Sequence, residues 1–497
     1  MLYLHNMGKR KKLDLVLEDI TIESVAAEGK ALAHVHIPGD DSDEGAGYVL
    51  FVEFAVPGDV VDVRILKKKK SYLEGRIIKI KKPSDKHLEP FCEHFGVCGG
   101  CRWQPLPYEM QLEAKRQQVY DQLVRIGHLD VPEINPTLGS EKTVEYRNKL
   151  EFSASDKRWL SNEELRNLEN AESPLPGCDA MGKPLCGLGF HVGKFFDKVL
   201  DINHCHLQKE PSNAIRLFIK QYAVDHSIPF YNLRENTGIF RTVFVRTTDD
   251  GQVMVIVCFA SRFKGLEEML DAVAGAFPEI TSLYYIINSK VNDSVSDQTP
   301  LLYKGDEAIY EKMEGLNFRI GPKSFYQTNT GQAYKLYSVA RDYAGLSGRE
   351  TVYDLYTGTG TIAQFVSGKA AKVIGIEYVP EAIADAEDNA RRNGISNCEF
   401  FAGDMKDVLD EAFIEAHGKP DVMIVDPPRA GMHPDVVKTI LKAAPERIVY
   451  VSCNPASQAR DLALMSGMYR ITDVQPVDMF PHTQHVENVC RLERIDR

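Results

Sequence analysis

The chain has 497 residues, 43% of them hydrophobic and 26% charged, with a formal net charge of −12; that is the make-up of an ordinary folded protein of two to four domains and excludes a disordered, fibrous or disulfide-stapled chain. No apolar run approaches the ~20 residues that cross a bilayer; the best, residues 253–260, suits a buried strand. The basic start, residues 1–12, lacks the long apolar core and small-residue cleavage site of a secretory signal, so a cytoplasmic location without membrane contact is expected.

From residue 13 to residue 80 the pattern is short alternating strands (13–18, 47–52, 59–64, 72–78) punctuated by Pro38-Gly39 and Pro57-Gly58. This predicts a small β-barrel of the OB kind. The acidic total hides a local excess of the opposite sign. Residues 64–82 carry nine basic side chains, Lys67, Lys68, Lys69 and Lys70 among them, against the single acid Glu74, and Lys9-Arg10-Lys11-Lys12 opens the chain. A lysine run alone is a solvated edge; on an OB-like barrel it fits a single-stranded nucleic-acid partner.

Next comes Cys92-Glu93-His94-Phe95-Gly96-Val97-Cys98-Gly99-Gly100-Cys101, followed by a helix-like stretch over residues 108–126. A tight cysteine cluster in a cytoplasmic chain points to metal before disulfide. Glycines at 96, 99 and 100 let the backbone wrap a metal closely. Three thiolates need a fourth ligand, for which Cys205 in His204-Cys205-His206 is the choice, and the spacing leaves zinc and a 4Fe-4S cluster equally open. Residues 146–327 mix strands (242–246, 252–259, 282–288) with a polar, proline-containing surface excursion over residues 156–186 that carries Cys178 and Cys186. No internal repeat is present.

From about residue 350 strands and helices alternate: strand 352–355, a helix after Gly360, strand 372–376, helix 380–393, then strands 398–401, 422–425 and 447–451. That order predicts a mainly parallel, Rossmann-like sheet covered on both faces, with ligands outside the carboxyl ends of its strands. Three such ends carry chemistry. Gly358-Thr359-Gly360 with Ala363, and Glu377 at the end of the next strand, form a nucleoside cradle that serves NAD and S-adenosylmethionine equally. In Asp426-Pro427-Pro428-Arg429 two prolines fix the turn and remove donors. An aromatic after Pro-Pro would suggest methylation of an exocyclic amine; Arg429 stands there instead, suited to a phosphate or the uracil carbonyls. In Val451-Ser452-Cys453-Asn454-Pro455 a cysteine sits at a strand end, where an ordinary thiol is a few per cent thiolate and costs only about 2 kcal/mol to ionise at neutral pH. His482-Thr483-Gln484-His485-Val486-Glu487 adds Glu487 as a candidate general base.

With these motifs and Ser324-Phe325-Tyr326-Gln327-Thr328-Asn329 assembled, the chain resembles the RNA 5-methyluridine methyltransferases, specifically the branch with a TRAM barrel and an iron-sulfur cluster that modifies 23S ribosomal RNA. The resemblance implies an N-terminal TRAM barrel (residues 1–80), a central α+β iron-sulfur domain (81–320, with helix 106–130 packing on the catalytic part) and an S-adenosylmethionine-dependent methyltransferase domain (321–497). It implies a 4Fe-4S cluster on Cys92, Cys98, Cys101 and Cys205, and methyl-donor contacts from Gln327, Tyr356, Glu377 and Asp426, with Thr361 and Asp404 at two further family positions. Thr361 departs from the Asn often found there, and the excursion 156–186 is longer than the family's. The nucleophile falls on Cys453 and the base on Glu487, the enzyme acting as a monomer on a loop or flipped-out uridine. Two other classes leave residues unused: an NAD-dependent oxidoreductase has no need of Cys453 or Asp426-Pro427-Pro428, and a non-catalytic RNA-binding adaptor gives Cys453 no role. RNA cytosine-C5 enzymes usually carry a cysteine after the Asp-x-Pro turn, where this chain has Pro428 and Arg429.

Overall fold

The computed structural model describes residues 15–37, 47–170, 177–178, 182–193 and 195–495. The run Lys9–Lys12, the Pro38-Gly39 turn and residues 171–176 and 179–181 of the excursion lie outside them. The chain divides into two units: residues 1–96 with 100–114 and 482–484, and residues 97–99 with 115–481 and 485–497.

The first unit is built on a six-stranded sheet. Alternation writes its core: in strand Val60–Lys68, Val61, Val63 and Ile65 turn inward and pack with Leu50, Leu73 and Ala33, while Arg64 and Leu66 face out. Three register shifts between this strand and its neighbour Tyr72–Lys82 bend the sheet as bulges do. Of the predicted basic run, the Lys67 ammonium pairs with Glu74 at 3.1 Å and Lys68 lies over the Tyr48 ring.

The second unit holds two seven-stranded sheets. In the central one, strands Lys149–Ser155, Phe240–Thr247 and Val253–Phe259 run antiparallel, and Val253–Phe259 pairs in parallel with Ile280–Ile287. One face packs Val243, Val245, Val255 and Val257 on helices Ser212–Asp225 and Leu266–Ala276. The opposite face, through Phe244, Ile256 and Ile286, joins the core of the C-terminal sheet. Within the excursion, helix Asn162–Asn170 buries no side chain, in keeping with its polar sequence.

The C-terminal sheet runs Cys398–Ala402, Lys372–Glu377, Thr351–Leu355, Val422–Val425, Arg447–Ser452, Glu487–Arg494, Tyr469–Val477, all in one direction except Glu487–Arg494, which is antiparallel to both its neighbours. Its central strands read as unbroken apolar runs because both faces are covered. The chain builds outward from Thr351–Leu355 and then returns to its other side at Val422–Val425, so the switch point where such folds bind ligands lies between these two strands. This is the Rossmann-like α/β fold expected. The predicted single helix over 108–126 is instead an α-helix, Tyr108–Tyr120, continued by a π-helical segment, Asp121–Ile126, whose Leu123 is buried with Val119 against the C-terminal sheet.

Deep in this unit the Lys115 ammonium donates to the Asp478 carboxylate, both side chains fully buried, and to the Phe480 carbonyl at 3.1 Å. The pair fixes the segment that leads into the last strand. Removing one partner leaves a buried charge uncompensated, which costs about 3–5 kcal/mol, whereas an apolar pair of similar volume is tolerated. Lys115→Met is therefore expected to lower the urea midpoint of this unit strongly, and Lys115→Met with Asp478→Leu to recover most of it; equal midpoints for the single and double variants would contradict the assignment.

Candidate active site

Five strand ends meet at the carboxyl edge of the C-terminal sheet. In order across it they are Glu377, Leu355 leading to Tyr356, Val425 leading to Asp426, Ser452 leading to Cys453, and Glu487, which opens the antiparallel strand where Asn488 pairs with Ser452. Hydrogen-bond register thus brings together residues spread over 111 positions (377 to 487) and the glycine turn before them.

The glycine turn is tied to the neighbouring strand: Gly358 N–H donates to Glu377 Oε2 at 3.1 Å and Val379 N–H to Glu377 Oε1 at 3.0 Å. Tyr356, Gly358 and Gly360 all sit in the left-handed region, at φ of 65°, 57° and 73°. For Tyr356 this is stored strain of the kind functional turns keep. At Gly360 a Cβ would meet Ala386 and Phe400 at 2.9 Å, whereas at Gly358 it would stand in open space; packing demands the first glycine, and the second leaves backbone open to a ligand. Beneath the turn Asp354 is buried and accepts from the Thr357 hydroxyl at 2.5 Å and Ala363 N–H at 3.0 Å. Burial pushes its carboxyl up to about 7.

The loops that follow strands Val422–Val425 and Arg447–Ser452 are stitched to each other. The Arg429 carbonyl accepts from the Asn454 side-chain amide at 3.0 Å and the Ser457 hydroxyl at 3.2 Å, and Asn454 caps the helix Pro455–Met465. Proline at the first turn of that helix costs no hydrogen bond and presets its direction, so the thiol of Cys453 is displayed at a rigid turn. Around it the charges are all of one sign except Arg429. Burial, then Asp354, pushes Asp426 up to about 7. Burial, then Asp426, pushes Glu487, only 6% exposed, up to about 8. Burial, Glu487 and Asp426 push the Cys453 thiol up to about 11, with Arg429 opposing. An ordinary thiol was expected from the sequence; at about 11 the thiolate costs roughly 5 kcal/mol at neutral pH. The sequence could not reveal this, because the raising charges come from other strands.

The remaining expected residues divide. The Gln327 carbonyl accepts from the Asn148 amide at 2.8 Å, and Asn329 both caps the following helix and donates to the Met479 carbonyl at 3.0 Å; the segment 324–329 is held at both ends. Asp404 caps the helix Met405–Val408 and pairs with Lys406 at 3.2 Å, and Thr361 is buried with its hydroxyl 3.3 Å from that of Thr359; both do structural work. Sequence reading passed over Asp354, hidden inside an apolar strand, and Tyr337, fully buried with its hydroxyl pushed far up by burial and by Asp426, Asp354 and Glu487. It also passed over the aromatic rims, Phe325 and Tyr378, each 67% exposed. Their signal was position: one lies two residues before Gln327, the other directly after Glu377.

Cys92, Cys98, Cys101 and Cys205 are half-buried and form no disulfide. Gly96 and Gly99 are left-handed with open space at Cβ, and Cys205 is held through its backbone by Asn213. Among the described residues, no three His, Cys, Asp or Glu side chains are gathered at metal-binding geometry, and no helix is long and apolar enough to cross a membrane.

Residues 305–495 match the family described as tRNA (uracil-5-)-methyltransferase, and residues 18–78 match the TRAM domain. A Porphyromonas gingivalis protein named an uncharacterized RNA methyltransferase is 56% identical over 478 residues, covering 95% of this chain and 99% of its own. A Bacteroides thetaiotaomicron protein of the same name is 54% identical over 473 residues, 94% of this chain and 100% of its own. Among solved structures, the Pyrococcus abyssi tRNA (uracil-54, C5)-methyltransferase in complex with S-adenosyl-L-homocysteine superposes with a TM-score of 0.70 at 25% identity, over 96% of this chain and 100% of that one. The chain belongs to the TRAM-containing RNA (uracil-5-)-methyltransferase family.

The charge environment of the thiol is directly testable. Alkylation of Cys453 by iodoacetamide, followed peptide by peptide by mass spectrometry across pH, is expected to titrate near 11. Glu487→Gln should lower that midpoint by removing a neighbouring negative charge, and Arg429→Met should raise it. An unchanged midpoint in both variants would contradict the assigned environment.

Proposed function

We propose that this protein transfers a methyl group from S-adenosylmethionine to carbon 5 of uracil in RNA, through a covalent adduct of Cys453 with carbon 6. The observation that carries the reading is the row of carboxyls, Asp354 and Glu487 buried and Asp426 half-buried, whose protonation is favoured and at which no cation contributes to the shift. Such a floor suits a ligand that brings its own positive charge, as the sulfonium of the methyl donor does. Glu377, bonded to the glycine turn, is proposed to hold the donor's ribose, and Tyr356, Gln327, Asp426, Asp404 and Thr361 are the other proposed donor contacts.

Carbon 5 of uracil is a poor nucleophile until carbon 6 is attacked. Cys453, its proton released to solvent, adds to carbon 6 as the thiolate, the electron pair released at carbon 5 takes the methyl group, and the donor leaves as the neutral thioether. Glu487, as carboxylate, removes the carbon 5 proton, β-elimination returns the thiolate, and the proton held by Glu487 is then lost to solvent. Arg429, the cation nearest the thiol, favours its ionised form and is placed for the uracil carbonyls. The target must be single-stranded or flipped out to reach so recessed a group, and lysines 67–70 are proposed phosphate contacts. The proposed substrate is 23S ribosomal RNA, supported by the sequence pattern of cysteine cluster plus TRAM barrel. The tRNA activity in the name of the Pyrococcus abyssi structure makes transfer RNA the second reading. Mapping 5-methyluridine in both RNAs with and without the gene decides between them.

Cys92, Cys98, Cys101 and Cys205 are proposed to ligate a 4Fe-4S cluster: the cysteine cluster supports a metal, and the resemblance to the iron-sulfur branch of the family implies which one. The described residues do not gather three ligands, so no step of the reaction is routed through it. Anaerobically purified protein is expected to be brown and to contain iron and sulfide, and Cys205→Ser to lose them; stoichiometric zinc without iron would refute the cluster.

Cys453→Ala and Glu487→Gln are expected to fail at different steps. Cys453→Ala should lose methyl transfer and every covalent RNA adduct while still binding S-adenosylmethionine. Glu487→Gln should add to carbon 6 and methylate carbon 5, then stall as a protein–RNA band on a denaturing gel, which wild type gives only with 5-fluorouridine RNA. Turnover by Cys453→Ala near the wild-type rate would refute the covalent route; normal turnover by Glu487→Gln would move the base to another residue, His485 first.

A further inference from the structure

A cavity of about 630 Å³ lies in the second unit against the central sheet, lined by Phe244, Ile256 and Ile286 on its apolar side and by four cations, of which Arg319 pairs with Asp385 and Glu307 and Lys323 donates to the Gln298 carbonyl, leaving Lys149 and Arg246. The sheet register places these two cations directly opposite each other, Lys149 on strand Lys149–Ser155 and Arg246 on strand Phe240–Thr247. Like charges in that position destabilise an antiparallel pair, so the arrangement needs a compensating anion. The described residues supply little. Arg246 is 6% exposed, donates one hydrogen bond, from Nη2 to the Ser324 carbonyl at 2.8 Å, and leaves Nε without a partner. Burial alone pushes its guanidinium down to about 10, with no carboxylate opposing. Lys149 makes no hydrogen bond or ion pair among the described residues, and its ammonium lies 5.6 Å from the centre of the Phe244 ring.

Four acids also line the cavity: Asp293, Asp385 and Glu151 are otherwise engaged or shifted, and Glu381 sits in the first turn of helix Pro380–Arg392, where the helix's positive end favours it. Asp293 is bound by Arg241 at 2.7 Å, and Asp385 takes the Ser324 hydroxyl at 2.6 Å with Arg319 at 3.7 Å. Glu151 beside Lys149 is pushed towards its neutral form by burial. What faces the cavity is therefore a pair of under-compensated cations beside a flat apolar wall, a match for an anion carried on an apolar, planar body.

We propose that this cavity receives one nucleotide of the RNA substrate adjoining the target uridine, its phosphate on Lys149 and Arg246 and its base against Phe244, Ile256 and Ile286. The inference rests on the RNA-methyltransferase reading above and deepens it. The methyl donor is the poorer occupant: its sulfonium and ammonium outweigh its carboxylate, so a doubly cationic wall repels it. Arg246 also holds the carbonyl of Ser324, which opens the segment carrying Gln327, so a phosphate bound there docks next to the proposed donor site.

The test is fluorescence anisotropy of full-length protein with a labelled, uridine-containing single-stranded RNA across a salt series, alongside calorimetric titration with S-adenosylhomocysteine. Lys149→Met is expected to weaken RNA binding about tenfold and to reduce the slope of log affinity against log salt by about 0.7, the loss of one phosphate contact on a single strand. Lys149→Arg should keep the slope, and S-adenosylhomocysteine affinity should stay unchanged in both. Arg246→Met is expected to act in the same direction, but because Arg246 also braces Ser324 the decision rests on Lys149. Unchanged affinity and slope for Lys149→Met would overturn the proposal, as would a loss of S-adenosylhomocysteine binding with RNA binding intact, which would assign the cavity to the donor. Wild-type protein that binds RNA with the full salt slope but forms no 5-methyluridine would instead refute the proposed function and leave the nucleotide cavity standing.

Discussion

The structure depends on an electrostatic imbalance confined to one edge of one sheet. Asp354, Asp426 and Glu487 stand at or beside strand ends along this edge and are shifted by burial towards their neutral forms, with Asp354 raising Asp426 and Asp426 raising Glu487 further in the same direction. An isolated buried carboxylate is so costly that proteins pair it or protonate it. Keeping three together beside a thiol favours their protonated forms, and a cationic ligand would favour their ionised ones. The same imbalance favours the thiol form of Cys453, pushed up to about 11 by burial, Glu487 and Asp426.

The rest of the C-terminal sheet serves to hold that edge. Apolar parallel strands fix the register, the left-handed turn at Tyr356 and the glycines opens the cradle, and the bond from Asn454 to the Arg429 carbonyl locks the thiol turn to the Pro-Pro turn. The Lys115–Asp478 pair secures the segment that delivers Glu487. Charge compensation recurs at a second place with the sign reversed, where Lys149 and Arg246 line a cavity with little to neutralise them. One site lacks a cation and the other an anion, which is the pair of demands a sulfonium donor and a polyanionic substrate meet.

Much of this was legible in the sequence. Each strand-to-turn motif ended where expected, because a buried parallel strand must be a short apolar run and its turn must carry glycine or proline: Val422–Val425 and the strand before Cys453 are instances. The Rossmann-like order followed from alternation alone. What the sequence hid were effects set by distant neighbours. The thiol of Cys453 looked ordinary because Asp426 and Glu487 approach it only through strand pairing. Asp354 lay inside an apolar strand with no sign of the bonds it accepts from Thr357 and Ala363, and the capping by Asp404 and the Thr361–Thr359 contact emerge only in the fold. Lys149 and Arg246 lie 97 positions apart in the chain, so only the register makes them a pair. The π-helical segment after Tyr120 left no mark in the helical periodicity around it.

The most direct test of the account compares the methyl donor with its demethylated product, which differ in the charge on sulfur. Binding a sulfonium over the carboxyls requires them ionised, and their folded pKa values of about 7 to 8 mean that protons must leave below that range. Affinity for S-adenosylmethionine, measured by calorimetry, should therefore rise at least about tenfold between pH 6 and pH 9 and then level off, with proton release that scales with buffer ionisation enthalpy at pH 7. Affinity for S-adenosylhomocysteine, whose sulfur is neutral, should change little over the same range. Equal pH slopes for the two ligands would contradict the account, because the row of carboxyls would then not be the seat of the donor's charge.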